Sequence, residues 1–220
     1  EFRMPGSSMS ISGPNVIINT AVAEELRCFA DELEGAADFR QALGEVIKRT
    51  VREHKRIIFN GNNYSEEWVQ EAAARGLLNL RNTPEALLHF TDEKNVALFV
   101  RHGVFTPTEM HSRLEILLEN YAKTVTIEAK TALEMARRDI IPAVNAYCRE
   151  LSLTASAKTA FCPEADVTPE RETVLRLSSL CKKMFLKAAE LEKSIADTHK
   201  QETAFDNAIA CCKELLPVMD

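Results

Sequence analysis

Glu1 and Arg3 flank Phe2 at the head of the sequence. Read as a strand, that spacing sends the Glu1 carboxylate and the Arg3 guanidinium to one face and Phe2 and Met4 to the other. A carboxylate ligates hard divalent cations, and a guanidinium clamps a carboxylate or phosphate through two parallel hydrogen bonds. The pair therefore suits a site that handles a metal ion and an anionic substrate. From three residues alone, an ion pair lying on a sheet face is the favoured reading.

Other polar groupings carry less. The histidines, His54, His89, His102, His111 and His199, show neither i, i+4 spacing nor an HExxH pattern, so surface or helix-terminal positions are the simpler reading. No GxGxxG, GxxxxGK[ST] or GxSxG motif occurs. Asn60-Gly61-Asn62-Asn63-Tyr64-Ser65 before a helix could cradle an anion on backbone N–H groups, but a turn between helices explains the same residues. Glu115, Glu119, Lys123, Glu128 and Lys130 read as i, i+4 neighbours on a solvated helix face. Cys28, Cys148, Cys162, Cys181, Cys211 and Cys212 include no CxxC, which points to reduced thiols in a cytoplasmic protein.

Charge and hydropathy narrow the classes further. The 220 residues carry 27 Lys and Arg against 33 Asp and Glu, a net charge of −6, which argues against a partner recognised through its nucleic-acid backbone. One Trp and three Tyr leave few platforms for stacking bases. No apolar run reaches the ~18 residues of a membrane span, and there is no cleavable leader, so no membrane is expected. The sequence opens on Glu1 inside a strand-like pattern and reads as a piece of a longer polypeptide.

The elements that must position these residues are mostly helical, since glycine is scarce and helix-start signals recur. Glu1–Met4 reads as the end of a strand, followed by a Pro-Gly-Ser-Ser loop. Pro14 then suits a first helical turn, and Val16, Ile17, Thr20, Ala23, Leu26, Ala30 and Leu33 trace one stripe ending near Gly35. Asp38 with Gln41 predicts a capping box, Ser65 a cap closed by Gly76, and Thr83-Pro84-Glu85 and Thr91-Asp92-Glu93 two short starts. The strongest start is Thr106-Pro107-Thr108-Glu109, opening a helix to Ile141 that would be roughly 50 Å long. Pro142 should end or kink it, with helical pattern resuming to about Leu153. Ala155–Asp166 is expected to be flexible. Thr168-Pro169-Glu170 opens another helix to about Ile195, continued or restarted from Thr203 to Leu216.

Several stretches, taken together, resemble the C-terminal part of a type III glutamine synthetase. The head, Glu1-Phe2-Arg3-Met4-Pro5-Gly6-Ser7-Ser8 followed by Ile11-Ser12-Gly13-Pro14-Asn15, is similar to that family's E-x-R strand, loop and following helix. More specific to type III are Ile58-Phe59-Asn60-Gly61-Asn62 with Tyr64-Ser65 and Glu67-Trp68, and Arg75-Gly76-Leu77-Leu78-Asn79-Leu80. To these add Glu93-Lys94-Asn95 with Phe99, His102-Gly103-Val104-Phe105-Thr106, His111-Ser112-Arg113, Glu119-Asn120-Tyr121 and Ile127-Glu128-Ala129. The likeness covers residues 1–160 well and the remainder loosely. Gly13-Pro14-Asn15 stands where the commoner classes read Asn-Pro-Tyr.

The resemblance implies a parent enzyme that ligates ammonia to glutamate at the expense of ATP, through γ-glutamyl phosphate, with Mg²⁺ or Mn²⁺ bridging the phosphates. It implies that Glu1 is a metal ligand and that Arg3 contacts the glutamate substrate. No catalytic residue is assigned. The expected architecture is mostly α: a helical bundle with one long protruding helix, attached to the last strand and helix of an α+β catalytic domain. Residues 1–35 would end that catalytic domain and residues 36–220 form a C-terminal helical region. Such a piece is expected to be inactive alone, its parent a cytoplasmic homo-oligomer, a dodecameric ring assembly by resemblance. The competing reading is a non-catalytic helical oligomerisation or interaction module.

Overall fold

The computed structural model describes residues 10–198 and 200–219. Glu1, Arg3 and the strand expected around them lie outside the described residues, as does His199. Among the described residues the secondary structure is entirely helical, and the chain divides into two compact units, one through Leu114 and one from Glu115 onward.

The first unit begins with α1 (Ser12–Leu33), α2 (Phe39–Glu53) and α3 (Glu66–Ala74), followed by the shorter α4 (Thr83–Leu88) and α5 (Glu93–Arg101). Gly35, Gly76 and Gly103 follow α1, α3 and α5 with φ of 76°, 72° and 62°, the left-handed conformation that ends a helix without a Cβ penalty. Side chains close the other ends. Asp38 accepts the Gln41 N–H at 3.0 Å, but the Gln41 amide turns forward to Glu45 at 3.3 Å, so only half of the expected box forms. Ser65 accepts the Trp68 N–H at 3.4 Å. Asn82, one residue before the expected Thr83, caps α4 through the Glu85 N–H at 2.9 Å. The α1 stripe also differs from expectation: Thr20 is buried, while Ile17 and Leu26 are exposed.

Helix α6 (Pro107–Met135) starts as expected, on a reciprocal box. Thr106 Oγ1 accepts the Glu109 N–H at 3.3 Å, and the Glu109 carboxylate accepts the Thr106 N–H at 2.7 Å. Pro142 neither ends the helical path nor limits its resumption to Leu153. A π turn, Ala136–Ile140, with the Ile141 N–H bonded to the Ala136 carbonyl, leads directly into α7 (Ile141–Phe161). A proline ring would meet the carbonyl four residues back and offers no N–H, and a turn widened by one residue relieves both. The same device recurs before Pro217, where the π turn Cys211–Leu215 joins α9 (Ala204–Ala210) to α10 (Leu216–Met219).

The second unit pairs α7 with α8 (Thr168–Thr198), which at 31 residues matches the 29 of α6. The segment expected to be flexible is helical as far as Phe161. The turn after it is fastened by Asp166 accepting the Thr168 N–H at 2.8 Å and by an ion pair of Lys158 with Glu170. Ala122, Val125 and Ala129 of α6, Leu191 and Ile195 of α8, and Cys211 and Leu215 form a buried core. Arg137 clamps Glu192 through two hydrogen bonds of 2.8 and 2.5 Å at its edge.

Candidate functional site

The stretches that carried the family likeness assemble into specific local structures in the first unit. Phe59 stacks on Trp68 with centroids 3.8 Å apart. Arg75 lies 5.4 Å from the Trp68 ring and donates to the Ile58 carbonyl at 2.9 Å and the Arg56 carbonyl at 3.2 Å, tying the end of α3 to the run before it. Gly61 has no positive φ; its small size is what matters, because a Cβ there would sit 2.6 Å from the Phe59 ring. The Asn60–Ser65 segment is the inter-helix turn, not an anion cradle. Asn62 accepts the Tyr64 N–H at 3.1 Å, Ser65 occupies the Trp68 N–H, and Glu66 and Glu67 put negative charge in the first turn.

Further along, Asn95 donates to the His89 carbonyl at 2.5 Å while His89 Nδ1 meets the Asp92 carboxylate at 2.9 Å. Phe99, almost fully buried, lies 5.3 Å from Phe105, over which Arg113 sits at 4.5 Å. These motif residues stack, cap and clamp.

The most highly charged convergence in the first unit is one that sequence spacing could not reveal. Glu24 of α1 accepts two hydrogen bonds of 3.1 Å from Arg27, another from Arg101, and faces His102 Nε2 at 2.7 Å. Its side chain is only 15% exposed. Hydrogen bonds from Arg27 and His102, with the positive charge of Arg101 beside them, pull its carboxyl down to about 2. Nearer the end of α1, Glu32 takes Arg49 of α2 through two bonds of 2.5 and 2.6 Å. Two guanidinium groups and an imidazole around one carboxylate make a structural clasp between α1 and α5. Arg27 at i+3 was the one signal the sequence offered; Arg101 and His102 join only in the fold.

In the second unit, an open depression of about 530 Å³ is lined by Glu115, Glu119 and Lys123 together with Gln201–Ala204 and Asn207. Lys123 bonds Glu119 at 2.8 Å, the i, i+4 ladder expected on a solvated face. The cysteines are free thiols, and burial pushes the Cys211 thiol up. Among the described residues no three His, Cys, Asp or Glu side chains converge so as to hold a metal ion, and no helix is long and apolar enough to cross a membrane. The two site residues expected from sequence, Glu1 and Arg3, lie outside the described residues.

Residues 42–159 match the family described as the glutamine synthetase C-terminal domain. A glutamine synthetase of Butyrivibrio fibrisolvens is 40% identical over 165 residues, 75% of this chain and 23% of the relative. A type-3 glutamine synthetase of Dictyostelium discoideum is 38% identical over 73% of this chain and 22% of its own length. A glutamine synthetase of Bacteroides fragilis (strain YCH46) is 37% identical over 69% of this chain and 21% of its own length. The chain thus spans less than a quarter of the length of these relatives. With a match over more than half of its residues, and with motifs that stack and cap as one architecture, the chain belongs to the glutamine synthetase C-terminal domain family, in agreement with its type III resemblance.

Proposed function

We propose that this chain is part of a type III glutamine synthetase, whose whole polypeptide ligates ammonia to glutamate with ATP through γ-glutamyl phosphate. The observation that carries this reading is the family match over residues 42–159, joined to relatives named glutamine synthetase. In it, residues 1–35 close the catalytic domain and residues 36–220 are an accessory and assembly region. The family match lies wholly inside the second of these. Glu1 supplies a ligand to Mg²⁺ or Mn²⁺, and Arg3 holds the glutamate substrate. Metal chemistry would neutralise charge on the transferring phosphoryl group, and the guanidinium would orient the anionic substrate. The chain by itself would be inactive, and the parent a cytoplasmic homo-oligomer built as a dodecameric ring.

The test is glutamate-, ammonia- and ATP-dependent phosphate release by the full-length parent, wild type against Glu1→Gln. A collapse in rate places Glu1 at the metal, whereas an unchanged rate removes it from the site. Arg3→Ala should chiefly raise the KM for glutamate; a change in thermal stability alone would make Arg3 structural.

A second reading, a non-catalytic interaction module, draws on the exposed apolar side chains between positions 108 and 141, among them Ile116, Ile127, Met135 and Ile140. It predicts self-association through the 108–141 helix. A monomer by sedimentation at high concentration refutes that reading.

A further inference from the structure

Helices α7 and α8 form an antiparallel pair whose register is pinned near both ends. Lys158 is ion-paired with Glu170 beside the turn, and Arg137, in the π turn before α7, clamps Glu192. Counting inward from either clamp sets Cys148 of α7 opposite Cys181 of α8, to within one residue. Burial agrees with that register. From Val144 to Ala155 the half-buried positions of α7 are Val144, Cys148, Leu151 and Ala155, and in the layers opposite them Leu177, Cys181 and Met184 of α8 are half-buried while the residues between are exposed. Spacings of three and four place each set on one helix face, so both thiols lie in the seam between the helices.

Packed helix axes lie ~8–10 Å apart with Cα atoms at a radius of ~2.3 Å, so residues facing across a seam bring their Cα atoms within reach of the ~4.4–6.8 Å that a disulfide spans. Both thiols are free in this structure. The other four cysteines are placed differently: Cys28 lies in the first unit, Cys162 follows the end of α7, and Cys211 and Cys212 adjoin one another in the second π turn. The seam is also loosely filled beside the pair. An open cleft of about 290 Å³, bordered by Leu151, Ser152, Ala155, Val174 and Leu175, begins one turn from Cys148, which leaves room for a small reagent to approach and for the helices to draw together. Arg149, Lys182 and Lys183 flank the two cysteines in sequence and favour an anionic reagent there.

We propose that Cys148 and Cys181 are a redox-active dithiol pair, closed into a cross-link between α7 and α8 by an anionic low-molecular-weight disulfide such as glutathione disulfide. The Cys148 thiolate attacks one sulfur of the reagent, forming a mixed disulfide and releasing one glutathione. The Cys181 thiolate then attacks the Cys148 sulfur and releases the second. Two cysteine thiols are oxidised, one disulfide is reduced, and the two cysteine protons end on the two glutathiones. The bond closes a long loop and holds the helix pair against unfolding. A reversible bond of this kind is the form disulfides take in reducing compartments. The inference stands on the second unit alone, whatever reaction the parent catalyses.

The experiment treats the full-length polypeptide with glutathione disulfide, blocks the remaining thiols and maps the peptides by mass spectrometry without reduction. The pair predicts a linked peptide joining Cys148 to Cys181, lighter than its two parts by two hydrogens and released by dithiothreitol. In Cys181→Ser the resolving thiol is gone, so glutathione should stay on Cys148. The urea midpoint of the oxidised wild type should exceed that of the reduced protein, a gain absent from Cys181→Ser. Free thiols at both positions, or two separate glutathione adducts, overturn the proposal. So does a bond from either cysteine to a second copy, seen as a dimer on a non-reducing gel, and so does a linked peptide with no rise in the midpoint. The wild-type map and midpoint need no substitution and decide the matter if Cys181→Ser fails to fold.

Discussion

Replacing Gly61 by alanine is the sharpest test of how the type III motif works in this chain. The added Cβ would lie 2.6 Å from Cζ and 3.0 Å from Cε2 of Phe59, closer than carbon atoms approach. A ring edge can usually swing aside, but this ring is stacked on Trp68 at 3.8 Å, so moving it breaks the stack. Losing an aromatic pair costs about 0.5–1.5 kcal/mol beyond its buried area, and overpacking adds ~1–3 kcal/mol. Lower entropy of the unfolded chain returns about 0.4–1 kcal/mol, leaving a net loss near ~2 kcal/mol. For a chain of this size that is a fall of about 4–8 °C in Tm. Trp68 is the one tryptophan in the sequence, so its emission reports the stack directly and should shift to the red. Gly44→Ala is the control of opposite sign. It lies inside α2 with nothing within 4 Å of the new Cβ and should stabilise by about 0.5–1 kcal/mol. If Gly61→Ala left both the emission and the melting temperature of the wild type, the steric account of this motif would be wrong.

Two further outcomes follow from the geometry. Leu215 is fully buried in the second core beside Ala122, Val125, Leu191 and Ile195, so Leu215→Ala should cost about 2–5 kcal/mol in urea unfolding, and a loss under ~1 kcal/mol would show that this core collapses around the gap. The Glu24 carboxyl, drawn from 4.5 to about 2 by Arg27, His102 and Arg101, contributes stability that is fully present above pH 4.5 and lost as pH falls toward 2. The gap in Tm between wild type and Glu24→Gln should therefore be widest above pH 4.5 and close below it; a gap independent of pH would assign the effect to packing.

How much of this was legible in the sequence depends on how far each interaction reaches along the chain. The caps at Asp38, Ser65, Thr106 and Thr203 could be read because donor and acceptor lie three residues apart. Pro142 was legible as a disturbance but not in its outcome, because a helix can either stop or take up one extra residue, and packing against α8 favours the second. The extent of α7 was hidden for a related reason: the small, aperiodic residues after Leu153 carry no apolar stripe of their own, and the ion pair that fastens them, Lys158 with Glu170, spans twelve residues. Glu24 was the largest omission. Its partners Arg101 and His102 lie 77 and 78 residues away, and no local pattern distinguishes such a glutamate from those around it.

The motifs that gave the family likeness bear on the functional argument in a particular way. Phe59, Gly61, Trp68 and Arg75 form one stacked corner; Asn95 fastens the turn before α5; Phe99, Phe105 and Arg113 pack the start of α6. Each answers a steric or hydrogen-bonding demand of the helical scaffold, so their recurrence in an enzyme family reports a shared architecture and says nothing of which group moves a proton or holds a phosphate. Function lives in sites placed on folds. The catalytic reading therefore turns on Glu1 and Arg3 and on how firmly α1 links them to that scaffold.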